Sequence, residues 1–133
     1  MSSEGEEAAR RFAHAVTSGD CEAAVALCHP QVVFDSVLGI SGRAYLGHDG
    51  IRHYFDDVAS AWREWRVEVE RVAEAADGRV VIVMTMHALG KGSGARVAER
   101  TAHIWTLADG KLLRNEPYRE PEQALHELGL SPG

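Results

Sequence analysis

The sequence is short of cysteine, of basic charge and of long apolar runs, and each shortage narrows what the protein can be. Its two cysteines, Cys21 and Cys28, fall seven residues apart on one expected helix. Two helical turns separate them by ~10 Å, beyond the ~7 Å Cα spacing that a disulfide tolerates. Free thiols are therefore expected, and with them a reducing, cytoplasmic location. The net charge of −6 argues against nucleic acid as a partner, because phosphate binding draws on clustered Lys and Arg. The longest apolar run, Val80 to Met84, is far short of the ~20 residues that cross a bilayer, so no membrane partner is expected. The N-terminal MSSEGEEAARR is polar and acidic, unlike a secretory leader. Internal repeats, low-complexity tracts, a glycine-rich phosphate loop and a Ser-His-Asp ordering are all missing. His48 and His53, with Asp49 and Asp57, do not follow a known ligand spacing, so no metal and no cofactor are expected.

With 133 residues, 45% of them hydrophobic, the chain can build one well-packed domain, 1–133, and not two. The pattern is clearest from Val97 to Tyr118, VAERTAHIWTLADGKLLRNEPY. Two runs of period two flank Asp109-Gly110, a pair suited to the positive φ of a tight hairpin turn. On the first run Val97, Glu99, Thr101, His103 and Trp105 share one face, and Ala98, Arg100, Ala102, Ile104 and Thr106 the other. The His103 face is taken as the wall of a cavity.

The rest of the chain supplies what surrounds that wall. Ala9, Phe12, Ala13 and Val16 repeat at helical spacing within residues 5–18. Ser18-Gly19-Asp20 ends that helix, and Asp20 caps a second, 21–28, closed by Pro30. Gln31 to Ser36 is a short extended run. Val37 to His48 is Gly-rich and aperiodic, a loop or flap beside the cavity. Asp49 is expected to cap a helix over 50–63 with Ile51, Tyr54, Phe55, Val58 and Trp62 as its apolar stripe. From Trp65 the period becomes two, and Arg79 to Leu89 is apolar on both faces at its start, as a central strand is. Met86 and His87 lie on opposite faces of it. Pro121 opens a last helix that Gly129 ends. Three helices, four strands in meander and a final helix make an α+β fold, a curved antiparallel or mixed sheet wrapped as a cone around three N-terminal helices.

Three stretches carry a resemblance to the nuclear transport factor 2-like superfamily and, within it, the SnoaL-like polyketide cyclase group. They are Ser18-Gly19-Asp20 with Ala24 to Leu27 and His29-Pro30-Gln31-Val32-Val33-Phe34; Gly47-His48-Asp49-Gly50-Ile51-Arg52; and Ile104-Trp105-Thr106 with Asp109-Gly110-Lys111 and Tyr118. The resemblance implies a homodimer with a deep pocket and a function among isomerases, cyclases, dehydratases, epoxide hydrolases or non-catalytic binders. It puts Asp35 at the general-base position of ketosteroid isomerases and His103 at their hydrogen-bonding acid. The sequence departs from the family pattern at Phe12, where those isomerases have Tyr, and at Pro117, where cyclases have Asp.

Asp35 and His103 are therefore the candidate catalytic pair, a carboxylate to take a proton α to a carbonyl and an imidazole to polarise that carbonyl. The plainer readings are an Asp that caps a turn and a His satisfied in the core or at a dimer face. Phe12, Phe34, Tyr54, Trp62, Met84 and Trp105 are candidates for an apolar sleeve, against plain core, with Tyr45, Thr101 and Asn115 as hydrogen-bonding candidates. The expected partner is a small hydrophobic molecule. Acid–base chemistry on a carbonyl-containing metabolite stands against non-catalytic binding in the same pocket and against a purely structural dimer module.

Overall fold

The first helix shows how closely local chemistry sets the boundaries. In the computed structural model, which describes residues 2–36 and 44–132, α1 spans Glu4–Ser18. The Ser3 hydroxyl accepts from the Glu6 N–H at 3.1 Å, and the Ser3 N–H donates to the Glu6 carboxylate at 2.7 Å. That reciprocal pair satisfies two of the orphan donors of a helix start. Gly19, at φ 72°, ends the helix in the left-handed conformation that a side chain resists. Its inner face buries Ala8, Ala9, Phe12, Ala13 and Val16.

Asp20 caps α2 (Cys21–Leu27) as expected, but the helix stops before Cys28. Cys28 opens strand β1 (Cys28–Phe34) instead. Pro30 bars His29 from the helical region, and the chain is already extended at Cys28, φ −101° and ψ 143°. Both cysteines are free. A two-residue strand β2 (Tyr45–Leu46) follows, then α3 (Gly47–Ala61). Asp49 is not its cap: Leu46 holds that position without a side-chain bond, and Asp49 sits in the first turn, 2.9 Å from Arg52. Most of the Gly-rich stretch, residues 37–43, lies outside the described residues.

Strands β3 (Trp62–Glu74), β4 (Val80–Gly90), β5 (Arg96–Ala108) and β6 (Lys111–Tyr118) form the antiparallel meander, and α4 (Pro121–Glu127) closes the chain. Trp62 belongs to β3, not to the helix stripe, because long-range pairing begins there, Trp62 opposite Gly90. The Asp109-Gly110 turn has positive φ at both residues, 52° and 75°. Sheet order is β2-β1-β6-β5-β4-β3. β1 runs parallel to β6, so the sheet is mixed, and register shifts in β3–β4 and β5–β6 help it curve around α1 to α3. β4 is apolar on both faces because both are covered. Ile82 faces the inner helices, whereas Val81 and Val83 meet Ala124, Leu125 and Leu128 of α4 outside. Met86 faces inward and His87 outward, 3.2 Å from Glu68. No described helix is long and apolar enough to cross a membrane.

Gly50 is a tight point in this assembly. A Cβ there would lie 2.7 Å from the Tyr45 carbonyl carbon, where β2 passes α3. In an open helix Gly→Ala stabilises by about 1 kcal/mol. Here the obstacle is backbone, so Gly50→Ala is expected to destabilise by about 1–3 kcal/mol in urea denaturation.

Candidate functional site: an apolar cavity with one oriented imidazole

The inner face of β5 forms one wall of a cavity, with Glu99, Thr101, His103 and Trp105 in sequence along it. This is the face that the two-residue period groups together. Ala9, Phe12, Ala13 and Val16 of α1 form the opposite wall. Trp65 and Val67 of β3 and Ile82, Met84 and Met86 of β4 line one side. Phe34, Ser36 and Tyr54 complete it. The cavity proper is about 60 Å³, and about 600 Å³ only when its open mouth and surrounding space are counted. The smaller figure is below the ~300–1,000 Å³ of sites for drug-sized molecules, so a ligand of that size widens the cavity or projects from its mouth.

Some candidate sleeve residues are also packed core. Phe12 meets Trp105 edge-on at 5.0 Å between ring centroids, Phe34 meets Tyr54 at 4.7 Å and Phe34 stacks on Trp105 at 5.8 Å. Burial pushes the Tyr54 hydroxyl's pKa up, so it stays protonated. The Trp65 indole beside that hydroxyl acts in the opposite sense.

His103 is the polar centre of the cavity. Its Nδ1 lies 3.1 Å from Asn115 Oδ1. Asn115 is wholly buried, and its Nδ2 donates to the backbone carbonyl of Asp35. A carbonyl can only accept, so the Asn115 amide is oriented with its NH2 toward Asp35 and its oxygen toward His103. That oxygen in turn requires a donor, which places the ring proton on Nδ1. Burial among apolar side chains pushes the pKa of His103 down to about 4, the bond to Asn115 acting in the opposite sense. At neutral pH the ring is therefore uncharged. Nε2 is left as a bare acceptor with no hydrogen bond among the described residues.

This geometry alters two of the expected roles. A neutral ring with its proton on Nδ1 does not donate from Nε2, so polarising a carbonyl is not what this nitrogen is set up to do. Asp35 is not among the residues that line the cavity. Its neighbours Phe34 and Ser36 do line it, whereas Asp35 lies just past the end of β1 without joining the lining. What Asp35 contributes is backbone: its N–H donates to the Asn115 carbonyl at 3.3 Å, and its carbonyl accepts from the Asn115 side chain.

Three further candidates lie outside the lining. Trp62 packs against Trp65, ring centroids 5.6 Å apart. Tyr45 is buried, and its hydroxyl donates to Asp57 at 2.8 Å, with His53 3.4 Å from the same carboxylate. Asn115 acts on the cavity through His103. Pro117 lies opposite His103 on β6, just past Asn115, where the β1 pairing ends. There its missing N–H costs no ladder bond on the β1 side. His48 is engaged with the Cys28 carbonyl at 2.9 Å.

The sequence reading put Glu99 on the cavity wall without making it a site residue, and it did not single out Ser36, Trp65, Val67, Ile82 or Met86 as lining. Glu99 lies four residues from His103 on the same face, ~13 Å along the strand, paired with Arg119 at 3.1 Å. Its position on the His103 face was the available signal, and Phe34 with strand parity was the signal for Ser36.

A mixed, curved six-stranded sheet packed with four helices defines the class of the fold, an α+β roll. Residues 9–115 match the SnoaL-like domain, and the chain belongs to that family, within the nuclear transport factor 2-like superfamily. No curated protein matches the chain by sequence. Among solved structures it is similar to TerC co-crystallised with polyporic acid, at 28% identity and TM-score 0.76 over 95% of this chain and 98% of that one. Two more distant structures share the fold. Rv0760c from Mycobacterium tuberculosis, in complex with estradiol-17beta-hemisuccinate, is 19% identical with TM-score 0.73 over 88% and 94% of the two chains. The Δ5-3-ketosteroid isomerase from Mycobacterium sp. is 18% identical with TM-score 0.72 over 88% and 93%.

Proposed function

We propose that this protein binds a small, largely apolar molecule in the cavity between α1 and the β3–β5 face. The observation that carries this reading is the cavity itself: apolar walls, with a single oriented imidazole presented to its interior. The complexes of TerC and Rv0760c with small organic ligands support it. The pairing of Asp35 with His103 as base and acid has no support in the lining, and without it binding is the stronger reading.

A second reading is favoured by Nε2 of His103. An uncharged imidazole with a free lone pair in an apolar cavity can take a proton from a bound substrate, with Asn115 stabilising the Nδ1–H side as charge develops. Proton transfer of that kind serves isomerisation and cyclisation, and it requires His103 alone.

Ligand-retaining mass spectrometry of the purified protein tests the first reading directly. Ala13→Met adds bulk to the α1 wall and is expected to weaken the affinity of any retained ligand by about tenfold or more, measured by calorimetry. Unchanged affinity would move the ligand out of this cavity. His103→Gln separates the two readings, because turnover of the retained molecule depends on the imidazole base whereas apolar burial does not.

A further inference from the structure

We infer that the polar feature this cavity selects in its ligand is a hydrogen-bond-donating hydroxyl, phenolic or enolic, directed at Nε2 of His103, in preference to a carbonyl oxygen. The inference rests on the cavity-binding reading and specifies its ligand class.

A backbone carbonyl accepts and never donates, and this one fixes the rest of the relay. The Asp35 carbonyl accepts from Asn115 Nδ2, so Asn115 Oδ1 faces His103, and His103 Nδ1 carries the proton. Asn115 is wholly buried, with β1 on one side of its strand and β5 on the other, so water cannot replace either of its bonds. A flip would put its oxygen against the Asp35 carbonyl and its NH2 against the ring N–H, losing both bonds. The alternative tautomer, with the proton on Nε2, would leave two acceptors facing each other at 3.1 Å.

The surroundings keep the ring neutral. The other titratable side chains in the described lining are Tyr54, a neutral phenol at pH 7, and Glu99, ~13 Å away along β5 and paired with Arg119. Among the described residues no carboxylate acts on His103, whose pKa responds only to burial and to the bond with Asn115. A ligand carbonyl brought to Nε2 would set lone pair against lone pair in an apolar site. A ligand hydroxyl would satisfy both partners. Thr101, two residues along the same face and 2% exposed, lines the cavity next to His103. Its hydroxyl can donate to, or accept from, a second oxygen on the same ligand edge.

The test uses three bicyclic probes of nearly one shape: 2-naphthol, which donates; 2-tetralone, which only accepts; and 2-fluoronaphthalene, which does neither. Calorimetry on the intact protein at pH 7 is expected to show 2-naphthol binding about tenfold tighter than 2-tetralone, the effect of one matched against one mismatched buried hydrogen bond. In His103→Phe that ratio is expected to fall to about one. The wild-type comparison stands without the variant, should the variant fold poorly. Binding of 2-tetralone as tight as or tighter than 2-naphthol would overturn the inference while leaving the cavity reading intact. Failure of all three probes to bind would overturn the cavity reading, and this inference with it.

Discussion

Asn115→Leu is expected to lower stability by about 3 kcal/mol, more than any surface substitution in the protein. Two polar groups lose their partner at once, the Asp35 carbonyl and the His103 Nδ1–H. Each unsatisfied buried group costs about 1–3 kcal/mol, and the added apolar volume of Leu offsets only part of that sum. The position aggravates the loss, since Asn115 pairs with Phe34 at the end of the parallel β1–β6 ladder and with Trp105 on β5. The exposed ion pairs provide the contrast. Arg100 reaches Glu70 at 2.7 Å, yet such pairs are worth at most about 1 kcal/mol. Urea denaturation of Asn115→Leu beside Arg100→Ala measures the difference directly. A cost below about 1 kcal/mol for Asn115→Leu would mean that the relay is not a structural link. Asn115→Asp gives a separate reading. A carboxylate still accepts from His103 but cannot donate to the Asp35 carbonyl, and its charge favours the imidazolium. That variant is expected to lose stability and also to raise the pKa of His103 well above its depressed value.

The second large effect is on pH dependence. His103 titrates near 6.5 in an unfolded chain and is held down to about 4 by burial in the folded protein. Between those values the unfolded chain binds a proton that the folded chain refuses, so stability falls as pH falls. Above about pH 7 both states are neutral at this residue, and the contribution is flat. Below about pH 4 both are protonated, and it is flat again. The full shift corresponds to about 3 kcal/mol, and less to the extent that cavity water reaches the ring. The expected result is a decline of about 2–3 kcal/mol in the wild type, relative to His103→Gln, as pH is lowered from 7 to 4. Parallel stability curves for the two proteins across that window would contradict a depressed His103.

Where local pattern and tertiary structure agree, the sequence was readable. The β5 face, the Asp109-Gly110 turn, the α1 stripe and the doubly covered β4 all follow from period and turn chemistry. Phe12, Phe34, Tyr54, Met84, Thr101, His103 and Trp105 all line the cavity. The differences have physical causes. Asp35 follows Phe34 just past the end of β1 and is not in the cavity lining, which the resemblance to isomerases did not anticipate. Trp62 fits a helical stripe at i+4 from Val58, but pairing with Gly90 claims it for the sheet. That contact is 28 residues away in sequence and has no local signature. The role of Asn115 was hidden for a similar reason. Its importance comes from the Asp35 backbone carbonyl just past β1, and backbone carbonyls leave no trace in side-chain patterns.

The relay from Asp35 through Asn115 to the cavity ends in the proton of one ring. Nitrogen-15 NMR of the His103 side chain, followed from pH 8 to pH 4, tests it most directly. The prediction is a neutral ring with a protonated Nδ1 and a bare Nε2, unchanged down to about pH 5 and giving way to the imidazolium only near pH 4. A proton on Nε2 at neutral pH, or an imidazolium already formed at pH 7, would contradict the orientation assigned to Asn115 and the ligand chemistry built on it.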